Sequence, residues 1–354
     1  MFDVWFRTSN IENRTSSPEH RTSNYEHRIT NIEMKKYILP ILLLITSFST
    51  FAQQEAMYSQ YLFNPMAINP AMTSKSGENI AKVIYRKKLI GGDFEGDPQT
   101  QTVVIELPFR NEKMGLGFQI YNDVAGILKS TGGYGIYNYK VRFNDKLSLT
   151  MGVQAGMTNF RANFTSVQLI DPKDPNFGQN INKALPSVGT GINLTNEKWY
   201  LAVSVPQIIR NDLSIISNPN SKYNASTNRF MFGMFGYDFR INKSIKLMPS
   251  VVAKVIENAP VAFDFNVKAS FIDKFLLGGS LRTANDKFNE ASSQTRLGDA
   301  FIAYTEIQLT PKICFGYAYN ISTAKGQYDS GSHEILISYK FGKKQDEEVI
   351  NPRL

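Results

Sequence analysis

Apolar and polar residues alternate one by one along much of the chain after residue 80. Between residues 146 and 160, one face carries Leu147, Leu149, Met151, Val153, Ala155 and Met157, and the other carries Ser148, Thr150, Gly152, Gln154, Gly156 and Thr158. Because side chains on a β-strand point alternately to opposite faces, this period predicts strands with one apolar and one polar face. A soluble sandwich alternates in the same way, so the period alone leaves the class of β protein open.

The pattern predicts fourteen strands, at residues 80–88, 101–109, 113–121, 131–142, 146–160, 184–194, 198–206, 228–241, 244–254, 261–272, 275–283, 298–309, 312–321 and 333–341. The connections between them alternate in length. Short ones lie at 110–112, 144–145, 195–197, 242–243, 273–274 and 310–311; mostly longer ones lie at 89–100, 122–130, 161–183, 207–227, 255–260, 284–297 and 322–332. This alternation is typical of an outer-membrane barrel with short periplasmic turns and long extracellular loops. The sequence therefore predicts an all-β fold, a transmembrane antiparallel β-barrel of about 14 strands over residues 80–341.

The last predicted strand, 333–341, must pair with the first, 80–88, because an open sheet edge is too costly in hydrocarbon. An even strand count places both ends of the chain on the periplasmic side, with Phe341 as an aromatic residue at that interface. Residues 342–354 (GKKQDEEVINPRL) then form a charged periplasmic tail, either without a role or a point of attachment for a periplasmic partner.

The first 52 residues are not part of the predicted fold. Residues 1–33 contain a polar repeat of seven residues, beginning RTSNIEN at residue 7, which indicates untranslated upstream sequence or a disordered extension. Residues 34–52 have a basic start, an apolar core and a small-residue cleavage site, and this predicts a signal peptide cut after Ala52. Export to the cell outer membrane follows from that signal and the predicted barrel.

Residues 53–79 differ from the rest of the exported chain, because they are rich in aromatic and amide side chains and are interrupted by prolines. Such a composition favours turns over a regular element. We interpret this stretch as a plug of the barrel lumen or as a periplasmic segment. Its candidate partner-binding or plug residues are Tyr58, Gln60, Tyr61, Asn64, Pro65, Asn69 and Pro70.

Several charged residues have the parity of the predicted lumen face. They are Arg86, Glu106, Asp264, Lys268, Glu306 and Lys340. These charges either line a conductive pore or pair across the interior and hold a plug, since polar groups in a lumen need partners or water.

Composition adds few sites for chemistry. The chain has three His and one Cys, Cys314, so we predict no disulfide, metal site or cofactor. Its net charge of +8 is spread along the chain rather than gathered in one run, so attraction to lipid headgroups explains it at least as well as nucleic acid and the charge does not decide between them. For the predicted barrel we expect contact with outer-membrane lipids and no binding of nucleic acid. Glycine pairs such as Gly115 and Gly117 open no helix, so they indicate close packing in the wall rather than phosphate binding. Residues 171–176 lack the spacing of a calcium loop and indicate a proline-defined turn.

One enzymatic hypothesis concerns His333, which has Ser330 and Ser332 beside it at the outer end of the last strand. A lipase would need one of these serines within hydrogen-bond reach of the imidazole. Serines so close in sequence are poorly placed for that contact, and no nucleophile-elbow motif is present. We therefore predict that the protein is not an enzyme.

Several segments together resemble the PorP/SprF family of outer-membrane proteins of type IX secretion and gliding motility. They are residues 58–65 (YSQYLFNP), 69–71 (NPA), 85–86 (YR), 97–101 (DPQTQ), 114–118 (MGLGF) with 122–123 (ND) and Gly126, 199–206 (WYLAVSVP) and 333–339 (HEILISY). The resemblance runs in order across nearly the whole exported chain. The chain departs from the family pattern after residue 86, where it has KKLIG and the family tends to have an aromatic residue.

The resemblance implies an outer-membrane component that helps a type IX substrate, such as a surface adhesin, to reach or stay at the cell surface. The implied partners are that secreted protein and the periplasmic and outer-membrane components of the secretion machinery. The fold alone suggests two other functions, because fold does not determine function. One is a porin-like or hydrophobic-solute transport barrel, and the other is a structural barrel without a cargo.

Overall fold

A computed structural model describes residues 59–90, 97–109, 113–166, 180–213, 226–256, 261–285, 295–322 and 329–342. Within these ranges the strands are β1 (Asn79–Ile90), β2 (Gln99–Phe109), β3 (Met114–Ala125), β4 (Leu128–Arg142), β5 (Leu147–Ala162), β6 (Ile181–Asn196), β7 (Trp199–Val205), β8 (Phe230–Tyr237), β9 (Phe239–Arg240), β10 (Ile245–Ile256), β11 (Ala262–Phe271), β12 (Phe275–Asn285), β13 (Thr295–Gln308), β14 (Ile313–Ser322) and β15 (Asp329–Phe341). The predicted signal peptide and most of the predicted tail lie outside the described residues.

The strands form one closed antiparallel barrel. Each strand pairs with its neighbours in the chain, and β15 pairs with β1 in a register that places Val83 opposite Ile337. Strands β8 and β9 both pair with β10 and make a single wall strand interrupted at Asp238, so the wall has fourteen strands. The predicted fold and the predicted closure between the first and last strands are confirmed.

All fourteen predicted strands are present, with ends that differ by a few residues. One predicted long loop, at 122–130, is wrong. Strands β3 and β4 continue until Ala125 pairs with Leu128, and only Gly126 and Ile127 lie between them. Gly126 has a φ of +59°, which glycine adopts without steric cost and which a two-residue hairpin turn requires. The prediction ended the third strand at residue 121, but Asn122 and Asp123 lie on paired strand.

The two faces of the wall have opposite polarity. Apolar side chains that alternate along the strands are exposed on the outside, such as Val153 (53% exposed) and Ile337 (54% exposed). Charged side chains such as Asp264 and Glu334 are fully buried on the inside. A wall that exposes its apolar face and buries its charges is that of a membrane barrel, since lipid covers the exterior.

None of the described helical segments is long and apolar enough to cross a membrane.

Candidate functional site

Residues 59–78, which we call the lumen segment, lie inside the ring of strands. They form three short 3₁₀ turns, Ser59–Leu62, Pro65–Ala67 and Pro70–Met72. Pro65 and Pro70 each lie at the start of a turn, where a backbone N–H would make no hydrogen bond within the turn. Asn69 precedes the third turn, and its side-chain oxygen accepts a hydrogen bond from the Ala71 backbone N–H at 2.9 Å. The sequence thus builds a compact, irregular chain rather than another strand.

Polar contacts on the short-turn half of the lumen centre on Glu106. This carboxylate accepts a hydrogen bond from the Ser74 backbone N–H at 2.6 Å and pairs with Lys82 Nζ at 2.6 Å. Lys82 also donates to the Phe63 carbonyl at 3.3 Å. A buried carboxylate is stable in this environment because a cation and an N–H both face it.

Amide side chains bind the middle of the lumen segment to different parts of the wall. Asn64 Nδ2 donates to Gln119 Oε1 on β3 at 2.9 Å. Asn69 Nδ2 lies 3.3 Å from the Ile192 carbonyl on β6 and 3.5 Å from the Val203 carbonyl on β7. Two further wall groups bind backbone carbonyls of the segment at 2.6 Å, namely Asn138 at Thr73 and Ser204 at Ile68.

Tyr61 anchors the segment on the far side of the barrel. Its hydroxyl donates to Asp264 Oδ2 at 2.8 Å and lies 3.1 Å from Asn266 Oδ1. Arg282 donates through Nε and Nη2 to the two oxygens of Asp264, each at 3.0 Å. Burial, and then the negative charge of Asp264, raise the pKa of the Tyr61 phenol well above its usual value. The phenol therefore remains a hydrogen-bond donor throughout the neutral range.

These contacts define a path through the lumen. Glu78 pairs with Lys340 at 2.7 Å beside the short turns, where β1 begins and β15 ends. Asp264 lies seven residues before the end of β11 at Phe271, which corresponds to roughly 20 Å along the strand. The segment therefore extends from the periplasmic rim of the barrel, at Glu78, into the outer half of the lumen, at Tyr61.

Apolar side chains of the segment also pack against the inner wall. Met66 is 1% exposed and forms a cluster with Val104 and Ile136. Phe63 meets the Tyr304 ring edge to face, with the ring centroids 6.0 Å apart. A larger cluster joins Tyr61, Leu62, Phe63 and Met72 to wall residues that include Ile84, Ile302 and Leu336. Burial of this apolar surface adds to the polar anchors.

Several wall glycines leave room for the segment, and Gly152 and Gly191 show this most clearly. A Cβ at Gly152 would overlap the backbone of Pro70 and Ala71, and a Cβ at Gly191 would overlap the Asn69 side chain. Glycine in a strand often marks such a close approach of another chain segment. Sequence analysis interpreted glycine pairs only as close packing in the wall, because the segment that approaches them is distant along the chain.

The candidate residues of the segment occupy different places. Tyr61, Asn64, Asn69 and Pro70 are buried in the lumen, and Pro65 is half-buried. The backbone of Gln60 belongs to the first 3₁₀ turn, but its side chain lies outside the described part of the structure. Tyr58 lies wholly outside the described residues.

The candidate lumen charges divide between the segment and the wall. Glu106 and Asp264 bind the segment as described, Lys340 pairs with Glu78, and Lys268 Nζ donates to the Leu62 carbonyl at 3.0 Å. Arg86 instead pairs with Glu334 at 3.5 Å across the β1–β15 junction. Glu306 lies 3.9 Å from Cys314 Sγ. Sequence analysis missed Lys82, Arg282 and Glu334, which share the inward parity and could have been found from it.

Ser332 and His333 do not form a nucleophile–base pair. His333 has the outward parity of its strand, with Nδ1 2.7 Å from the Tyr317 hydroxyl and its ring centroid 4.8 Å from that of Tyr319. Ser332 is buried on the inner face, where its hydroxyl lies 3.4 Å from Arg86 Nε. Neighbouring residues on a strand point to opposite faces, which separates these two groups. Across the described ranges, no group of three or more His, Cys, Asp or Glu side chains is placed to hold a metal ion.

Comparison with solved structures finds several outer-membrane proteins. The chain is similar to a Pseudomonas aeruginosa FadL homologue, with 12% identity and a TM-score of 0.47 over 78% of this chain and 94% of that one. It is similar to Omp33 of Acinetobacter baumannii, with 10% identity and a TM-score of 0.44 over 75% of this chain and 99% of that one. No curated protein matches the chain.

Comparison with protein families gives a specific result. The family described as "Type IX secretion system membrane protein PorP/SprF" matches residues 50–339, which include all but the last two residues of the barrel wall and the whole lumen segment. The resemblance seen in the sequence motifs is therefore confirmed over most of the chain. The chain belongs to the PorP/SprF family of type IX secretion system membrane proteins.

Proposed function

We propose that this protein is a non-enzymatic outer-membrane barrel of the type IX secretion and gliding apparatus, and that it supports the export or surface attachment of a secreted protein such as an adhesin. Membership of the family supports a place in that apparatus and contact with its substrates and machinery. The predicted signal peptide and its cleavage after Ala52 would deliver the chain to the outer membrane. The finer role, as a binding platform for a secreted protein, is our proposal.

The observation that carries this proposal is the occupied lumen. The lumen segment is anchored at Tyr61, Asn69 and Ser74 by wall residues on different sides of the barrel. A channel for solutes needs a continuous water-filled path, and a segment fixed at several levels obstructs one. The occupied lumen therefore favours a barrel that works by binding proteins over the porin-like or hydrophobic-solute transport alternative.

Recovery of partners from membranes tests the proposal. The tagged protein is extracted from the outer membrane under mild conditions, and the proteins that accompany it are identified. We expect a secreted type IX substrate or envelope components of the machinery to be enriched. The matched control is an unrelated barrel with the same tag, and enrichment no greater than this control would contradict the proposal.

Single-channel conductance separates the proposal from the transport alternative. We expect the purified barrel in a planar bilayer to remain closed, because the lumen segment fills the path. A steady open level in the unmodified protein would favour transport. A closed barrel with no protein partner would leave the structural barrel without cargo as the function.

A further inference from the structure

The periplasmic mouth of the lumen carries a cleft that the proposed function does not assign. It has a volume of about 660 Å³ and is lined by the turn between β6 and β7, the interrupted strand β8–β9 and the start of β10. A second cleft of about 270 Å³ adjoins it and shares Arg240 and Lys246. A volume of this order is in the range of sites that bind small ligands and short peptide stretches.

The two clefts and the adjoining end of the lumen segment, which together we call the periplasmic basin, have an excess of positive charge. Five cations surround the basin, and the two acidic groups of the larger cleft stand among them. The cations are Lys75, Lys198, Arg240, Lys243 and Lys246, and the acids are Glu197 and Asp238. Asp273 lines the smaller cleft, so the five cations face three acids in all. The basin therefore keeps a positive field, which favours a ligand with negative charge.

Lys75 links the basin to the lumen segment. Its Nζ lies 4.5 Å from the centre of the Tyr200 ring, and Asp238 and Lys246 are near enough to influence its charge. Water reaches the Lys75 side chain, but the surrounding atoms desolvate it in part. This burial lowers the pKa of Lys75, Asp238 opposes the shift, and Lys246 adds to it. A carboxylate bound beside these two lysines would reduce their mutual repulsion.

The barrel wall is interrupted beside the basin. Ser250 pairs with Gly236 and Leu247 pairs with Phe239, but the ladder between these pairs is missing. Pro249 lies in this gap and has no N–H to donate. The Tyr237 and Phe239 rings, whose centroids lie 4.4 Å apart, have the outward parity of the wall at this place, whereas Arg240 and Lys246 have the inward parity. The basin thus offers inward-facing cations beside an irregular stretch of wall, which suits a peptide with acidic side chains.

We propose that the periplasmic basin binds an acidic, extended segment of a protein partner on the periplasmic side. The charge of the basin selects carboxylates, and the short-turn side of the barrel faces the periplasm. Recognition of acidic motifs by clusters of basic side chains is a recurring mode of peptide binding. The inference rests on the proposed function in one respect, because it takes the ligand of the barrel to be a protein.

Binding of a synthetic peptide to the purified full-length barrel tests the inference. The probe is a short fluorescent peptide that alternates glutamate with serine, and its comparison peptide has glutamine in place of glutamate. Binding is followed by fluorescence anisotropy. We expect the glutamate peptide to bind and the glutamine peptide to bind at least about tenfold more weakly, since exposed charge pairs contribute modestly and add over several contacts.

The basin variant combines Lys198→Gln, Arg240→Gln and Lys246→Gln. The matched control combines Lys113→Gln, Lys146→Gln and Lys312→Gln, which removes the same charge from exposed positions near other short turns. We expect affinity to fall about tenfold in the basin variant and less than twofold in the control. Barrel assembly of each variant is checked by circular dichroism.

Three results would overturn the inference: no binding to the unmodified protein, equal binding of the two peptides, or equal loss in the two variants. Different results would contradict the proposed function, namely a steady open pore or the absence of any protein partner in membranes. If partner proteins are recovered with the barrel but the acidic peptide does not bind to it, the basin inference alone is overturned.

Discussion

Tyr61 is the residue with the most demanding surroundings in the lumen segment. Its ring is buried, and its hydroxyl faces the buried carboxylate of Asp264, which Arg282 also binds. A hydrogen bond to a charged, buried acceptor contributes more than one to a neutral group. This single contact joins positions 203 residues apart in the chain and fixes the outer end of the segment.

Replacing Tyr61 with phenylalanine should loosen the lumen segment without disturbing the wall. The loss of one hydrogen bond to a buried charge should lower the opening free energy of the segment by about 2 kcal/mol, or about 30-fold in hydrogen exchange. Amide exchange of residues 59–78, followed by mass spectrometry, measures this effect. Tyr137→Phe is the matched control, because Tyr137 is exposed on the outer face. Equal exchange in the two variants would contradict the assigned role.

Tyr61 should also make the stability of the folded protein fall at alkaline pH. Its folded pKa is raised by burial and by Asp264, so the folded phenol keeps its proton at a pH where the unfolded phenol loses it. The contribution of Tyr61 is therefore fully present below about pH 10 and falls by about 1.4 kcal/mol for each pH unit above that value.

Thermal unfolding of the unmodified protein and of Tyr61→Phe, compared from neutral to alkaline pH, measures this contribution. We expect the difference in midpoint to be constant below about pH 10 and to shrink above it. A difference that changes only in the acid range would show that another group is responsible.

At the level of elements, the lumen segment and the wall fit each other because the wall provides small residues at the points of contact. The third 3₁₀ turn, Pro70–Met72, rests on Gly152 of β5. The inner face of β5 otherwise carries polar residues such as Thr150 and Gln154, which are buried. The turn therefore occupies a place that a larger side chain would fill.

Replacing Gly152 with alanine should displace this turn. The added Cβ would overlap the backbone of Pro70 and Ala71, and overpacking of this kind costs about 1–3 kcal/mol. Faster exchange and faster proteolysis of residues 59–78 are the expected results. The control is Gly135→Ala on the outer face, where the nearest atom to an added Cβ lies 4.0 Å away. Unchanged protection of the segment in Gly152→Ala would disprove the close contact.

At the level of the whole molecule, the barrel reverses the polarity of a soluble protein. Its wall places apolar residues toward lipid and charges toward the lumen, and the lumen segment then supplies partners for several of those charges. Closure between β1 and β15 leaves no free sheet edge at the junction of the first and last described strands. Apart from the interruption at Asp238, each described wall strand pairs with a neighbour on both sides, and the segment adds to the wall from within.

Removal of residues 53–72 should therefore leave a barrel that still assembles. The strand pairing lies outside these residues, and Glu106 and Asp264 keep Lys82 and Arg282 as partners. We expect conductance in a planar bilayer to rise from the closed level and the recovery of partner proteins to fall. Removal of residues 343–354 serves as the control for conductance. Failure of the shortened barrel to fold would instead make the segment part of the structural core.

The sequence by itself determined the number, order and facing of the strands. Side chains alternate on any strand for local steric reasons, so the period of two located all fourteen, and the lengths of most connections distinguished the two rims. Local pattern failed at Asn122 and Asp123, because polar residues occur both in loops and on strands that extend beyond the membrane.

Only the tertiary structure decided what fills the barrel. The partners of Tyr61 and Asn69 are more than one hundred residues distant in the chain, and which wall residues face them depends on how the closed sheet sets its register. The interruption at Asp238 and the basin beside it arise in the same way, from pairing between strands. Alternation along a strand is a local property, whereas contact across a lumen depends on the closed barrel as a whole.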